Sequence, residues 1–360
     1  MIALATTSIA WVILIVITIG WITYFFLNRG AAGPELGSEV EMAPNRKPYY
    51  DDEILEGPRL ERMQLLGVLF LVVLVVALPL YWIFEPDRQA GAVAQKEKTF
   101  IGYGARLFAP TAEGGFNCAG CHGAKGVGGA APYNVTDPKT GAIKSVNWYA
   151  PALNSVLYRY SEEEVTYILN YGRPFSPMSA WGTPGGGPMN TQQIETLISY
   201  IRSIQIPRIG CAPTEKDQRV CPTGVLPEDT TAQIAKDAKA AADKLVADGK
   251  YATADQAMGE ALFNLNTASG AYSCARCHTP GWSWGDPGVT AQGAFGWNLT
   301  GGATNSHFVS EQDQINFIKV GSENGKRYGI QSQGSGRMPG FGNMLTDEQI
   351  KAIVEYVRSL

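Results

Sequence analysis

The stretch Cys118-Ala119-Gly120-Cys121-His122 decides the fold class of this 360-residue chain, and its pattern returns as Cys274-Ala275-Arg276-Cys277-His278. Each copy places two thiols about one helical turn apart, with an imidazole directly after them. Thiols at this spacing can bind the two vinyl groups of haem c, while the histidine ligates the iron from one side. We therefore predict two covalent haem c groups, attached through Cys118, Cys121, Cys274 and Cys277, with His122 and His278 as proximal ligands.

The two motifs belong to a longer internal repeat. A Gly-x-x-Leu-Phe segment precedes each motif, at residues 104–108 and 259–263, and a Tyr-x-Arg-Ser segment ends each copy, at 199–204 and 355–360. The offset between the copies is nearly constant over about a hundred residues, which indicates a duplicated domain. We call residues 98–206 the first repeat and residues 250–360 the second repeat.

The same order of elements is predicted in both repeats. A middle helix begins after a serine N-cap, Ser161 or Ser310, and carries acidic residues in its first turn. A final helix begins at a capping signal around Asn190 or Thr346. Long Gly/Pro-rich loops separate the helices, and almost nothing in the pattern predicts strands. The expected fold class is all-α.

Each repeat also carries a methionine that could close the second axial position of its iron. Met338 lies in Arg-Met-Pro-Gly-Phe-Gly, and Met178 lies at the equivalent place in Pro-Met-Ser-Ala-Trp-Gly. A thioether opposite an imidazole stabilises ferrous iron and raises the potential. Met189 is a rival to Met178, Met344 is a weaker rival to Met338, and His307 is a remote candidate. Further pocket or propionate candidates by position are Tyr171, Arg173, Trp297, Asn298 and Arg327.

Two apolar segments precede the repeats. Residues 1–28 contain no charged side chain, and residues 65–85 form a second apolar run that ends in aromatic residues. Each is long enough to span a bilayer as a helix, and a cleaved signal peptide is the alternative for the first. The basic side chains between them favour a cytoplasmic connector at residues 29–64. We predict a two-pass protein of the bacterial cell membrane, with the region after the short linker 86–97 on the outer side.

The connector between the repeats, residues 207–249, contains the two remaining cysteines. Cys211 and Cys221 are ten positions apart in a Pro-rich stretch, which predicts a disulfide in an oxidising compartment. Two unrelated free thiols are the alternative. A helix from about residue 230 to 248 follows, and we expect it to pack against one of the repeats. The net charge of −4 argues against a nucleic-acid partner.

With Cys-x-x-Cys-His, Met-Pro-Gly-Phe-Gly and the final Tyr-Val-Arg-Ser-Leu segment, the chain resembles tandem class I cytochrome c domains. The resemblance covers about residues 98–205 and 250–360 and departs at Ser179, where the family usually has proline. It implies two class I cytochrome c-like haem domains, which here would follow the two N-terminal transmembrane helices. A membrane-anchored dihaem cytochrome of this kind resembles the cytochrome c subunit of an actinobacterial-type quinol–cytochrome c reductase (bc) complex, although the match to that subunit is looser, since both apolar segments precede the haem domains here. In that subunit a dihaem arm passes electrons to a terminal oxidase.

The expected function is electron transfer in a respiratory chain, from a Rieske iron–sulfur protein beside cytochrome b to a terminal oxidase or another carrier. No catalytic site of its own is expected. The chain should not oxidise quinol itself, because neither apolar segment contains a histidine that could hold haem b. A cytochrome c subunit of a separate dehydrogenase is the alternative. A dihaem peroxidase is a more distant one, because each repeat offers a methionine to close the iron.

Overall fold

The computed structural model describes residues 2–28, 58–137, 140–173, 176–214, 217, 219–266, 273–293, 295–322 and 337–360. The chain divides into two compact units, Met1–Lys96 and Glu97–Leu360. Most of the predicted cytoplasmic connector lies outside the described residues, so its side of the membrane stays a prediction.

Two helices form the first unit, α1 (Ile2–Asn28) and the beginning of α2 (Pro58–Phe108). Among the described residues, α2 alone contains a stretch that is long and apolar enough to cross a membrane, and none of that stretch is buried. A shorter apolar stretch, Ile15–Tyr24, lies in α1. The Trp21 ring lies 6.2 Å from the Phe70 ring, and the Tyr24 hydroxyl donates to the Met63 sulfur at 3.7 Å. One candidate span is thus found, and the two-pass topology stays a prediction.

The predicted linker 86–97 is helical. Helix α2 continues through Pro79 and Pro86 without interruption and ends at Phe108, within the first repeat. Apart from Gly91, the residues after Pro86 include alanine, glutamine, lysine and glutamate, which favour helix. Each proline removes one backbone hydrogen bond but does not end the helix here.

The second unit contains both repeats and the connector between them. Its helices and strands are α3 (Cys118–His122), β1 (Gly129–Thr136), β2 (Ile143–Ala150), α4 (Glu162–Tyr171), α5 (Thr191–Ser203), α6 (Glu228–Ala247), α7 (Ala254–Asn264), α8 (Ala275–His278), α9 (Ala303–His307), α10 (Glu311–Val320) and α11 (Asp347–Arg358). Short 3₁₀ turns lie at Thr111–Glu113, Ala124–Gly126, Val156–Tyr158, Thr183–Gly185 and Trp282–Trp284.

The expectation that strands are nearly absent is wrong for the first repeat. Strands β1 and β2 form an antiparallel hairpin in which Gly129 pairs with Ala150 and Thr136 pairs with Ile143. Strand β2 carries β-branched and aromatic residues, which fit a half-buried strand. The buried Trp148 side chain meets the Tyr133 ring of the other strand edge-to-face, with centroids 5.7 Å apart. This cross-strand packing helps to hold the hairpin together.

The predicted helix starts are confirmed. The hydroxyl of Ser161 accepts from the backbone N–H of Glu164, and that of Ser310 accepts from Asp313. Asn190 and Thr346 each form a reciprocal capping box with a glutamine three residues later. These caps satisfy N–H groups that would otherwise have no helical partner.

A glycine brings the first and last helices of each repeat into close contact. A Cβ atom on Gly104 would lie 2.0 Å from the carbonyl oxygen of Thr196 in α5. A Cβ on Gly259 would lie 2.2 Å from the carbonyl oxygen of Ala352 in α11. The glycine of each Gly-x-x-Leu-Phe segment therefore allows the crossing that closes the repeat.

The connector packs against the second repeat. Helix α6 buries Ile234, Ala238 and Ala242, and Ala242 joins Ala257 and Ala261 of α7 in a small cluster. The structure joins Cys211 and Cys221 in a disulfide, with their Cα atoms 5.9 Å apart. The helix and its packing are as expected from its apolar spacing.

Candidate haem sites

The attachment motifs form short helical turns in both repeats. In α3 the thiols of Cys118 and Cys121 lie one turn apart, and Cys274 stands at the N-cap of α8 with Cys277 inside it. None of the four thiols forms a disulfide. Burial raises the pKa of the Cys118 thiol to about 11 and that of Cys274 to about 12. The two thiols are therefore protonated at neutral pH in the protein without haem.

A backbone carbonyl orients each proximal histidine. The Nδ1 atom of His122 lies 2.9 Å from the carbonyl oxygen of Pro151, and Nδ1 of His278 lies 2.8 Å from that of Trp297. A carbonyl oxygen only accepts, so Nδ1 carries the proton and Nε2 keeps its lone pair for a metal. Burial lowers the pKa of both imidazoles. For His122 the positive charge of Arg276 adds to this lowering. Both rings are therefore neutral, and the Nε2 lone pair of each can bind a metal.

A partly open cavity of about 210 Å³, called here the first cavity, lies against the attachment motif of the first repeat. Its wall includes the thiols of Cys118 and Cys121, the imidazole of His122 and the thioether of Met178. Other lining side chains are largely apolar or aromatic, among them Phe108, Val156, Val165, Leu169, Trp181, Leu197 and Ile201. These residues line one largely apolar cavity and supply two thiols for attachment together with an imidazole and a thioether for the iron, so they fit a covalent haem.

In the second repeat the fit rests on the surroundings of His278. Gly296 lies so close to the imidazole that a Cβ atom there would be 2.6 Å from Cε1. The backbone therefore supports one side of the ring while the carbonyl of the next residue, Trp297, holds Nδ1. This leaves Nε2 as the available donor of a neutral imidazole.

The methionine segments of the two repeats have matching backbone contacts. Gly172 and Gly321, which follow the middle helices, both have positive φ. A Cβ on either would lie 2.6 Å from the carbonyl oxygen of Met178 or Met338. Trp181 and Phe341, three residues after each methionine, both donate to the last turn of the middle helix at 2.9 Å. These equivalences align Met178 with Met338.

The two rival methionines are core residues. Met189 is fully buried among α4 and α5 side chains and is not among the residues that line the first cavity. Met344 is also buried, and its sulfur accepts from the Nη1 atom of Arg159 at 3.9 Å. Met178 and Met338 therefore stay our predictions for the distal ligands.

The other candidates have diverse surroundings. His307 is exposed, and its ring packs against Trp297 with centroids 4.7 Å apart. Arg173 lines the first cavity and lies over the Tyr160 ring, so it fits the role of a propionate partner. Tyr171 is half exposed and packs against the Tyr167 ring. The oxygen Oδ1 of Asn298 accepts from Thr300. Arg327 lies outside the described residues.

Sequence reasoning missed that the first cavity is shared between the repeats. Arg276, Cys277, Ser283 and Phe295 of the second repeat complete its wall. It also missed the hairpin, although Trp148, Tyr149 and Ala150 of β2 line the same cavity. One signal was present in the sequence: the second repeat has arginine at positions 276 and 337, where the first has Gly120 and Pro177.

A family model described as Cytochrome c matches the chain twice, over residues 101–205 and 256–360. Together the two matches cover more than half of the chain. No curated protein and no solved structure matches the chain.

Proposed function

Since the chain belongs to the cytochrome c family through two copies of its domain, we propose that it relays electrons between two haem c groups as a membrane-anchored respiratory subunit. Family membership implies electron transfer by haem. The respiratory setting, the anchor and the partners are our proposals.

The observation that carries the proposal is that the two attachment cysteines and the two candidate iron ligands of the first repeat line one cavity. Cys118 and Cys121 would attach the haem, while His122 and Met178 would close its two axial positions. In the second repeat Cys274 and Cys277 would attach it, with His278 and Met338 as axial ligands. The bound group supplies a one-electron couple. The chain holds each imidazole neutral and oriented, lines the first cavity largely with apolar side chains, and offers a soft thioether that would favour the ferrous state.

The proposed location is the outer face of a bacterial cell membrane. Helix α2 carries a candidate span, and the apolar α1 would provide the second pass. Contacts of Trp21 with Phe70 and of Tyr24 with Met63 support α1 and α2 as a packed helical pair. The Cys211–Cys221 disulfide fits an oxidising compartment. Protease added to sealed, right-side-out membrane vesicles should cleave the haem repeats if this topology is correct.

The proposed donor is a Rieske iron–sulfur protein in a bc-type complex with cytochrome b, and the proposed acceptor is a terminal oxidase or another carrier. The test is to purify the full chain from native membranes in mild detergent and to identify the accompanying subunits. Cytochrome b and Rieske subunits are expected. Recovery with a dehydrogenase alone would contradict the bc assignment and favour the alternative.

Carbon monoxide separates electron transfer from peroxidase chemistry. Two methionine-closed irons should leave the reduced native protein without carbon monoxide binding. A native protein that binds carbon monoxide at one haem would have an open coordination position and would favour an enzyme. Covalent attachment is tested independently by denaturing the protein and measuring the haem that stays with the chain. Two haem groups per chain are expected.

A further inference from the structure

The first cavity is completed by a charged residue from the other repeat. Arg276 is only 7% exposed and lies in its wall together with His122 and Met178. It is the third residue of the second attachment motif, directly before Cys277, which lines the same cavity. The attachment point of one haem is therefore part of the wall around the other.

Contacts with both repeats hold this arginine in place. One Nη atom of Arg276 donates to the carbonyl oxygen of Tyr149 in β2, and the other donates to Oδ1 of Asn266 at 3.4 Å. The guanidinium lies over the Trp282 ring, 5.4 Å from its centroid. The backbone carbonyl of Arg276 accepts from the Ser283 hydroxyl at 2.7 Å. The arginine is thus fixed at both its backbone and its head group.

We infer that Arg276, although part of the second attachment motif, belongs to the site of the first haem and raises the reduction potential of that haem. The inference rests on the proposed function, because it requires both motifs to carry haem. Reduction of the first iron adds one electron and no atom, so the site loses one positive charge. A fixed cation in a poorly solvated wall stabilises the reduced form more than the oxidised form.

Burial is what gives this charge its effect. A neighbouring cation at the same boundary between repeats, Lys144, pairs with Asp286 at 2.6 Å, but both side chains are more than half exposed. Water and salt screen such an exposed charge. Lys144 does not appear among the residues that line the described cavity. It therefore offers a matched control that removes one positive charge between the same two repeats.

The test is a potentiometric titration of the full chain in detergent, with the two haem waves assigned through Met178→Ala and Met338→Ala variants. In Arg276→Met the ferrous-to-ferric ratio of the first haem at a fixed potential should fall about tenfold. For a one-electron couple this corresponds to a shift of 59 mV. Arg276→Lys should keep the potential of the first haem close to that of the wild type. Lys144→Met should change the ferrous-to-ferric ratio of the first haem less than twofold.

An unchanged first wave in Arg276→Met would overturn the inference, and so would a shift confined to the second haem. An equal fall in Arg276→Lys and Arg276→Met would show a packing effect rather than a charge effect. If Arg276→Met does not load both haems, Arg276→Gln replaces it, because glutamine keeps a donor for the Tyr149 carbonyl and loses the charge. Two haems per chain with no change in potential would reject the inference and leave the proposed function intact.

Discussion

The first and second repeats can be compared residue by residue around the iron ligands. His122 and His278 each donate to a backbone carbonyl at nearly equal distances, 2.9 and 2.8 Å. Gly172 and Gly321 each lie against the backbone of a candidate methionine ligand. The two copies thus keep the same support for the proximal and distal ligands.

The repeats differ where they touch each other. In the first attachment motif a side chain at Gly120 would clash with Asn117, since a Cβ would lie 2.5 Å from its Oδ1. The second motif has Arg276 at that position, and it reaches the first repeat. Likewise Arg337, beside Met338, pairs with Glu164 of the first repeat. The comparison teaches that duplication preserved the ligand supports while neighbouring positions became an interface.

Removal of the distal ligands should give the largest effect and tests whether the repeats are equivalent at the iron. Met338→Ala should leave the haem attached, open the second iron to carbon monoxide and lower its potential, because the thioether that stabilises ferrous iron is lost. Met178→Ala should do the same at the first iron. Optical titration with carbon monoxide under reducing conditions measures both.

The matched controls are Met189→Ala and Met344→Ala. Each removes a buried thioether, so each should lower stability by about 2–5 kcal/mol without opening an iron. Carbon monoxide binding in Met189→Ala together with none in Met178→Ala would reverse the assignment in the first repeat. An unchanged second potential in Met338→Ala would refute that ligand.

Substitution of Gly296 should disturb the proximal histidine of the second repeat and leave that of the first unchanged. In Gly296→Ala the new methyl group would overlap the His278 ring, so the imidazole must move from its orientation toward the Trp297 carbonyl. We expect a weakened or absent second haem and an unchanged first haem, which serves as the internal control. Haem content per chain and the low-spin spectrum report the change. A wild-type spectrum with two haems would show that the backbone support is not needed.

Substitution of the crossing glycines should affect both repeats alike. Gly104→Ala and Gly259→Ala each place a methyl group against a backbone carbonyl of the last helix. We expect each to lower the free energy of unfolding by about 3 kcal/mol. Denaturant titration with tyrosine and tryptophan fluorescence measures it.

Gly102→Ala is the control for this pair, because it lies in the same helix and a Cβ there meets nothing within 4 Å. Alanine favours helix, so this variant should be neutral or slightly stabilising. A loss in Gly102→Ala as large as that in Gly104→Ala would assign the effect to the helix itself rather than to the crossing.

The ion pair between the repeats should give the smallest effect and sharpen their difference. In Glu164→Gln the Ser161 cap can survive, because glutamine also serves in a capping box. The carboxylate charge that pairs with Arg337 would be lost, so the guanidinium would keep its charge without its ionic partner. We expect the free energy of unfolding to fall by about 1–2 kcal/mol, since both side chains are at most one-fifth exposed. The methionine–iron absorption band of the second haem should disappear at a lower temperature.

Glu162→Gln is the control, because Glu162 pairs with Arg202 inside the first repeat. It should lower stability by a similar amount or less without changing the second haem's band. A selective loss of the first band in Glu164→Gln would contradict a role for this pair in holding Met338.

The sequence predicted those features that depend on local patterns. The attachment motifs, the helix caps and the helix of the connector follow from residue types at fixed spacing. The hairpin does not, because Gly129-Ala-Ala-Pro begins β1 with weak strand formers. Its buried Trp148 packs against Trp284 and Phe295, more than a hundred residues later. The shared wall of the first cavity depends on the same distant contacts, which local periodicity does not encode.

The surroundings of Tyr158 make the stability of each repeat depend on the other. Its ring belongs to the first repeat but is buried in the hydrophobic core that contains Phe263 and Tyr356 of the second. Arg208 of the connector lies over the same ring, 4.4 Å from its centroid. A core shared in this way couples the folding of the two copies. Loss of the second repeat would expose the Tyr158 ring, and loss of the first would remove that ring from the core of the second, so we expect neither repeat alone to be as stable as it is in the duplicated chain.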